Sequence, residues 1–207
     1  MRKELAVLGT TAVLIVGCAP DNPVPTAAFE IRAPLFVSNA GGNGDVNLGT
    51  HLTGDEEVCP ACVVSTPADS KAAGEAIFRV SSDESTVDFR LIASNIDNAF
   101  MSHIHCGRPG ANGPIRMWLY PGTPGPSGTP GPAGSGPHNG VLASGSFSPT
   151  GVTCPASAVG TQMSLLGAMR AGLTYVNVHT DDGVAPSNTG PGDFPGGEIR
   201  GQLDHGR

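Results

Sequence analysis

Between Ala76 and Ala93 the chain alternates with a period of two. Ala76, Phe78 and Val80 are separated by Ile77 and Arg79, and Val87, Phe89, Leu91 and Ala93 follow the same rhythm around Asp88 and Arg90 after the polar run 81–85. Successive side chains of an extended chain point to opposite faces, so two such segments around a turn form a β-hairpin with one apolar face. That face needs a cover, and the rest of the chain offers more strands for it at 100–106, 115–120, 141–147, 174–180 and 197–203. Helical spacing is confined to residues 162–171, where Met163, Leu166, Met169 and Arg170 recur before Gly172. With 30 glycines and 19 prolines in 207 residues, turns are plentiful. The reading is an all-β sandwich or barrel with one short helix.

The N-terminus follows different rules. Arg2 and Lys3 precede an apolar run from Leu5 to Val16 that is too short for a permanent membrane span. It ends in Ile15-Val16-Gly17-Cys18, which resembles the lipobox at which bacterial lipoprotein precursors are cut and lipidated. The resemblance implies a signal peptide over 1–17 and lipidation of Cys18, whose acyl chains would hold the chain to the membrane at about 0.8 kcal/mol per buried methylene. Residues 18–45, rich in Pro, Asn, Gly and Ala, read as a tether, with an apolar patch at 33–37 as a candidate edge strand. The expected location is the bacterial cell envelope. Ala19 does not resemble the aspartate that retains some lipoproteins at the inner membrane, so the outer membrane or cell surface is preferred. Of 11 basic and 18 acidic residues, cleavage removes Arg2, Lys3 and Glu4, leaving 9 and 17 and a formal charge of −8. Such a balance argues against nucleic acid as a partner.

Cys59, Cys62, Cys106 and Cys154 remain. In an exported chain an even number reads as two disulfides, with three connectivities open, and the preferred pairing is Cys59 with Cys62 and Cys106 with Cys154. A redox pair or half a zinc site at Cys59-Pro60-Ala61-Cys62 ranks lower, because no βαβ pattern and no second such motif accompany it. Residues 121–137 carry glycine at every third position from Gly122 to Gly134. One short tract in one chain cannot make a collagen helix, so it reads as an extended loop. No nucleophile elbow, phosphate-binding loop or zinc-protease helix motif is present, and hydrolase and nucleotide-binding functions lack support.

The chemistry lies in the histidines. His103 and His105 are two apart in a strand-like segment, so their rings share a face about 7 Å apart. His179, on a later strand, shares its face with Tyr175 and Asn177, and His51 is a candidate fourth ligand. Imidazole suits copper, zinc, iron and nickel, and three ligands leave one coordination position open. His138 and His205 read as a loop and a tail residue. Asp181 and Asp182 read as loop carboxylates, with an orienting role toward His179 as the alternative. Glu198 and Arg200 alternate along the last strand and read as a structural pair.

Six segments together resemble the CHRD domain, named after chordin. They are Leu52-Thr53-Gly54-Asp55-Glu56-Glu57-Val58, Ser102-His103-Ile104-His105-Cys106-Gly107, Gly110-Ala111-Asn112-Gly113-Pro114-Ile115, Ala168-Met169-Arg170-Ala171-Gly172, Tyr175-Val176-Asn177-Val178-His179-Thr180 and Pro195-Gly196-Gly197-Glu198-Ile199-Arg200-Gly201-Gln202-Leu203. They fall within residues 46–203, with departures at the Gly/Pro insert and at the loop 181–194. The resemblance implies an immunoglobulin-like or superoxide dismutase-like β-sandwich in which the His-x-His strand and the later Val-His strand supply copper ligands. One reading of function is a binding or structural module that engages a protein or matrix partner at the cell envelope, any metal at His103, His105, His179 and the candidate fourth ligand His51 serving structure. The alternative is a copper-dependent, superoxide dismutase-like enzyme. The module is preferred, because a copper-to-zinc bridging histidine and the zinc ligands find no clear place in the sequence, and a net negative charge does not attract superoxide.

Overall fold

The computed structural model describes residues 46–205. The expected signal segment 1–17, the expected lipidation site Cys18, the expected tether and the patch at 33–37 all lie outside the described residues.

Eleven strands form among the described residues: β1 (Val46–Thr53), β2 (Ala73–Val80), β3 (Val87–Asp97), β4 (Ala99–Cys106), β5 (Ile115–Tyr120), β6 (Pro137–Phe147), β7 (Thr153–Cys154), β8 (Met163–Ser164), β9 (Thr174–Thr180), β10 (Ile199–Gln202) and β11 (Asp204–His205). Two short α-helices, α1 (Ala156–Val159) and α2 (Leu165–Arg170), and two single-turn 3-10 helices at Gly54–Glu56 and Pro67–Asp69 complete the inventory. Nine strands make one antiparallel sheet in the order β5-β4-β9-β10-β1-β2-β3-β6, with β11 added to β1, while β7 and β8 pair separately. The sheet curls until its edge strands β5 and β6 touch, giving a nearly closed, sandwich- or barrel-like all-β shell. Closure protects the strand edges that an open sheet would present to other chains.

The hairpin forms as its alternation requires. Phe78 sits opposite Phe89 across β2 and β3, their rings 6.3 Å apart, and Phe147 of β6 extends the stack. Leu91, Val80 and Val87 are fully buried behind them. β1, unforeseen as a strand, carries its own alternation: Leu48 and Leu52 are buried while Asn47 and His51 are exposed. Gly49 blurred that signal. Its hydrogen is nevertheless what fits there, because a Cβ would meet the Ala76 carbonyl oxygen at 3.3 Å.

The expected helix 162–171 is shorter. Residues 163–164 pair with β7 instead, and the Ser164 hydroxyl then accepts the Gly167 amide at 3.1 Å, which starts α2 as an N-cap does. Gly172, at φ 66°, follows its end. The expectation of one helix is corrected by α1, a single turn between Pro155 and Gly160 that has too few residues for an apolar period to show.

The Gly/Pro tract is a loop pinned to the β5 and β4 edge. Trp118 and Gly125 exchange backbone hydrogen bonds at 2.7 and 3.2 Å, and the Gly131 amide donates to the Phe100 carbonyl at 2.8 Å. A Cβ on Gly128 would stand 2.7 Å from the Trp118 indole, so glycine lets the loop lie directly on that ring.

Cys59 is bonded to Cys62, and Cys106 to Cys154, with Cα separations of 5.4 and 5.6 Å. The first closes a separation of 3 residues, the second one of 48, tying β4 to the β7 segment. Chain entropy then predicts unequal costs. Replacing Cys106 and Cys154 by serine should lower unfolding free energy by about 4 kcal/mol, and replacing Cys59 and Cys62 by about 2 kcal/mol, in urea titrations without reductant.

Candidate metal centre

The site grows out of the pairing of β4 with β9. His103 lies opposite Asn177, His105 opposite Tyr175 and Met101 opposite His179. With a side-chain period of two, this register puts all three histidines on one face, while Ile104, Cys106, Val176 and Val178 enter the apolar core behind. Both faces are covered, so β9 is buried throughout and β4 nearly so. That explains why these strands read as apolar runs with histidines inserted rather than as polar-apolar alternation.

The rings converge. Centroids of His103 and His179 are 4.9 Å apart, those of His103 and His105 5.4 Å, and those of His105 and His179 6.2 Å. One ring nitrogen from each lies within 4.8 Å of the others. The cluster is shielded, with exposures of 0, 8 and 5 % for His103, His105 and His179. Trp118 of β5 closes one side with its ring 4.1 Å from that of His103, and Phe100 meets the edge of His179. Tyr175 stacks on His105 at 4.7 Å, nearly parallel, and the Arg200 guanidinium lies 3.5 Å over the Tyr175 ring.

Two loops set the tautomers. His105 Nδ1 is 2.8 Å from the Gly113 carbonyl, and His179 Nδ1 is 2.9 Å from the Pro195 carbonyl. A carbonyl only accepts, so both Nδ1 atoms carry hydrogen, which leaves Nε2 of neutral His105 bare. Nε2 of His179 lies 3.1 Å from His103 Nδ1 and 3.0 Å from Asn177 Oδ1, while Nε2 of His103 and of His105 are buried without any hydrogen-bond partner. Buried polar nitrogens without partners are rare, and lone pairs gathered in one place are what a cation relieves. Ligands 2.0–2.1 Å from one ion would lie no more than about 4 Å apart, so a modest ring rotation closes the cluster on a metal.

A model of the CHRD domain matches residues 48–203, most of the chain. This chain belongs to the CHRD domain family. Neither a curated protein nor a solved structure matches it.

Within this CHRD domain the expected site residues fare differently. His103, His105 and His179 come together. His51 does not join them. It is exposed on β1 opposite Glu75, because the buried positions of β1 are taken by Leu48 and Leu52 on the other face. His138 lies in β6 rather than in a loop, and His205 in β11. Asp181 and Asp182 cap their own loop through the Gly183 and Val184 amides, and orientation of His179 falls to the Pro195 carbonyl. Glu198 and Arg200 do not pair. Glu198 is fully buried and accepts the Ser70 and Thr180 hydroxyls and the Gly192 amide, whereas Arg200 donates to Asn112 Oδ1 and the Ala111 carbonyl.

Two participants carried weaker sequence signals. Trp118 was visible only as the single tryptophan, on a strand of its own. Glu57, within the family-like Leu52–Val58 stretch, approaches Asn177, its carboxylate 3.5 Å from the amide nitrogen. Burial pushes the Glu57 carboxyl up to about 7, against the opposing effects of the Val58 amide and the Arg200 charge. Burial also dominates the histidines, lowering His103 to about 2 with help from the other two rings, His105 to about 4 and His179 to about 3. All three are therefore neutral, the form in which imidazole binds a metal.

The pH dependence has a definite sign. Below about 6.5 the unfolded chain protonates three histidines that the folded domain keeps neutral, so stability present above that pH is lost as pH falls toward 4. Glu57 acts oppositely, since between 4.5 and about 7 the folded state holds a proton that the unfolded state has released. The histidines outnumber it. Metal-free protein should lose roughly 2 kcal/mol of unfolding free energy per pH unit between about pH 6 and 5, read from denaturant titrations, and His103→Gln with His179→Gln should flatten that slope.

Proposed function

We propose that this protein is an exported cell-envelope lipoprotein whose CHRD domain is a binding module built around a copper ion held by His103, His105 and His179. In this reading Cys18 carries the lipid, residues up to 45 are the tether, and the domain stands outside the membrane, at the outer membrane or cell surface. One observation carries the metal: three neutral, buried imidazoles converge, two of them anchored on backbone carbonyls, with two ring nitrogens lacking any partner. Carbonyl-anchored imidazole is the usual outer support of a metal ligand.

The donor set favours copper. It offers nitrogen alone, the four cysteines of the described residues being locked in disulfides, and divalent copper binds such sites most tightly among the first-row ions. When bound, copper supplies a one-electron couple, which is the basis of the alternative reading as a dismutase. Burial of all three ligands, His105 being the most exposed at 8 %, favours an ion that stabilises the sheet over one that meets substrate. A protein or matrix partner would have to use the outer surface, where Val63 and Val64 stand 88 and 83 % exposed beside the Cys59–Cys62 bridge.

Metal analysis of the full chain after copper loading and removal of free ion decides the reading. One copper per chain is expected, with binding weakened more than roughly a hundredfold in His103→Ala and His179→Ala, since loss of outer support alone costs about 10–100-fold. His51→Ala should retain the ion. Absence of stoichiometric copper, or its retention in both ligand variants, would overturn the assignment. Superoxide turnover by the loaded protein would instead favour the dismutase. Membrane fractionation of Cys18→Ser tests the anchor: the wild type should sediment with membranes and the variant should not.

A further inference from the structure

We propose a second, chemically different cation site in the loop that follows β9, built by Asp181, Asp182 and Asp193 and selective for calcium. A carboxylate oxygen from each of the three lies within 4.8 Å of the others. Each carboxylate already uses one oxygen internally. Asp181 Oδ1 accepts the Gly183 amide and Asp182 Oδ1 the Val184 amide, both at 2.8 Å, and Asp193 Oδ2 accepts the Thr189 amide and hydroxyl at 2.9 and 2.8 Å. Such local turns are common in loops without any ion.

Asp193 is different. It is 2 % exposed, and its Oδ1 is buried with no hydrogen-bond partner at all. A buried carboxylate oxygen that accepts nothing is costly, the more so beside two other carboxylates whose charges repel it. Thr189 holds the carboxylate by its other oxygen, so the turn satisfies only half of the group. The backbone around it is independently fixed: the Asp193 amide donates to Gly190 O, its carbonyl accepts the Asn188 amide, and Asp181 is held between Asn98 and Gly134. Backbone hydrogen bonds thus hold Asp181 and Asp193 in position independently of their carboxylates.

The chemistry selects the ion. The donors are oxygens only, three of them anionic, which suits a hard cation and not the copper of the histidine cluster. Asp181 and Asp182 are half-buried, leaving a solvent side from which waters complete the shell. Calcium accepts such irregular, partly hydrated oxygen shells more readily than magnesium, which requires a near-ideal octahedron. Bound there, calcium would fasten the loop containing Pro195, whose carbonyl orients His179, although the two sites share no ligand.

Calorimetric titration of the chelator-treated full chain with Ca2+, alongside thermal melts in millimolar Ca2+, tests this. One Ca2+ per chain is expected, with a dissociation constant on the order of 10⁻⁴ to 10⁻³ M and a raised Tm. Asp182→Asn keeps the oxygen that accepts the Val184 amide and removes only charge, and it should fold and bind about tenfold more weakly, as should Asp181→Asn. His51→Ala, at an exposed position of β1 outside both clusters, should leave Ca2+ binding unchanged. Absence of both heat and Tm shift would overturn the proposal, as would unaltered affinity in the two asparagine variants or equal affinity for Mg2+.

Discussion

The register between β4 and β9 governs the centre of this molecule. Opposing His103 to Asn177 and His105 to Tyr175 directs Ile104, Val176 and Val178 into the apolar core and sends three imidazoles the other way. A slip of one residue would exchange the faces, burying imidazole among aliphatic side chains and pushing valine and isoleucine against polar loops. The Cys106–Cys154 bond, at the end of β4, ties this strand to a segment outside the main sheet. The same alternation that makes the core therefore makes the site.

Two Gly-rich loops complete what the register begins. The turn 107–114 brings the Gly113 carbonyl to His105 and the Gly113 amide to the Tyr175 hydroxyl, and the turn before β10 brings the Pro195 carbonyl to His179. Both approaches depend on missing side chains. A Cβ on Gly113 would collide with the Cys106 carbonyl, and one on Gly197, at φ 130°, would collide with the Glu57 carboxylate. Glycine at these points is a condition for carbonyl groups to serve as ligand supports.

Around the cluster Arg200 and Glu198 are well partnered. Arg200 is 1 % exposed, yet its charge is spread over the Tyr175 ring, Asn112 and the 107–114 backbone. Glu198 neutralises nothing directly and is instead satisfied by two hydroxyls and an amide. Buried charge tolerated in this way costs stability unless every donor and acceptor is met, which makes the partnerless nitrogens of His103 and His105 and the partnerless oxygen of Asp193 conspicuous.

The sequence by itself determined the all-β class, the β2–β3 hairpin, the extent of β5 and β9, and the shared face of His103 and His105, whereas the β4–β9 register brought His179 to that face. Each of the former follows from local rules: period two, turn residues, and the spacing of side chains in extended backbone. The place of His51 and the partners of Glu198, Arg200 and Asp181 were decided only by the tertiary structure, because they depend on which strands become neighbours across a sheet that joins β1 to β10 and β9 to β4. The carbonyls of Gly113 and Pro195 and the orphan oxygen of Asp193 were equally invisible in sequence. A backbone oxygen has no residue type to betray it, and a carboxylate shows its unmet need only once folding has removed it from water.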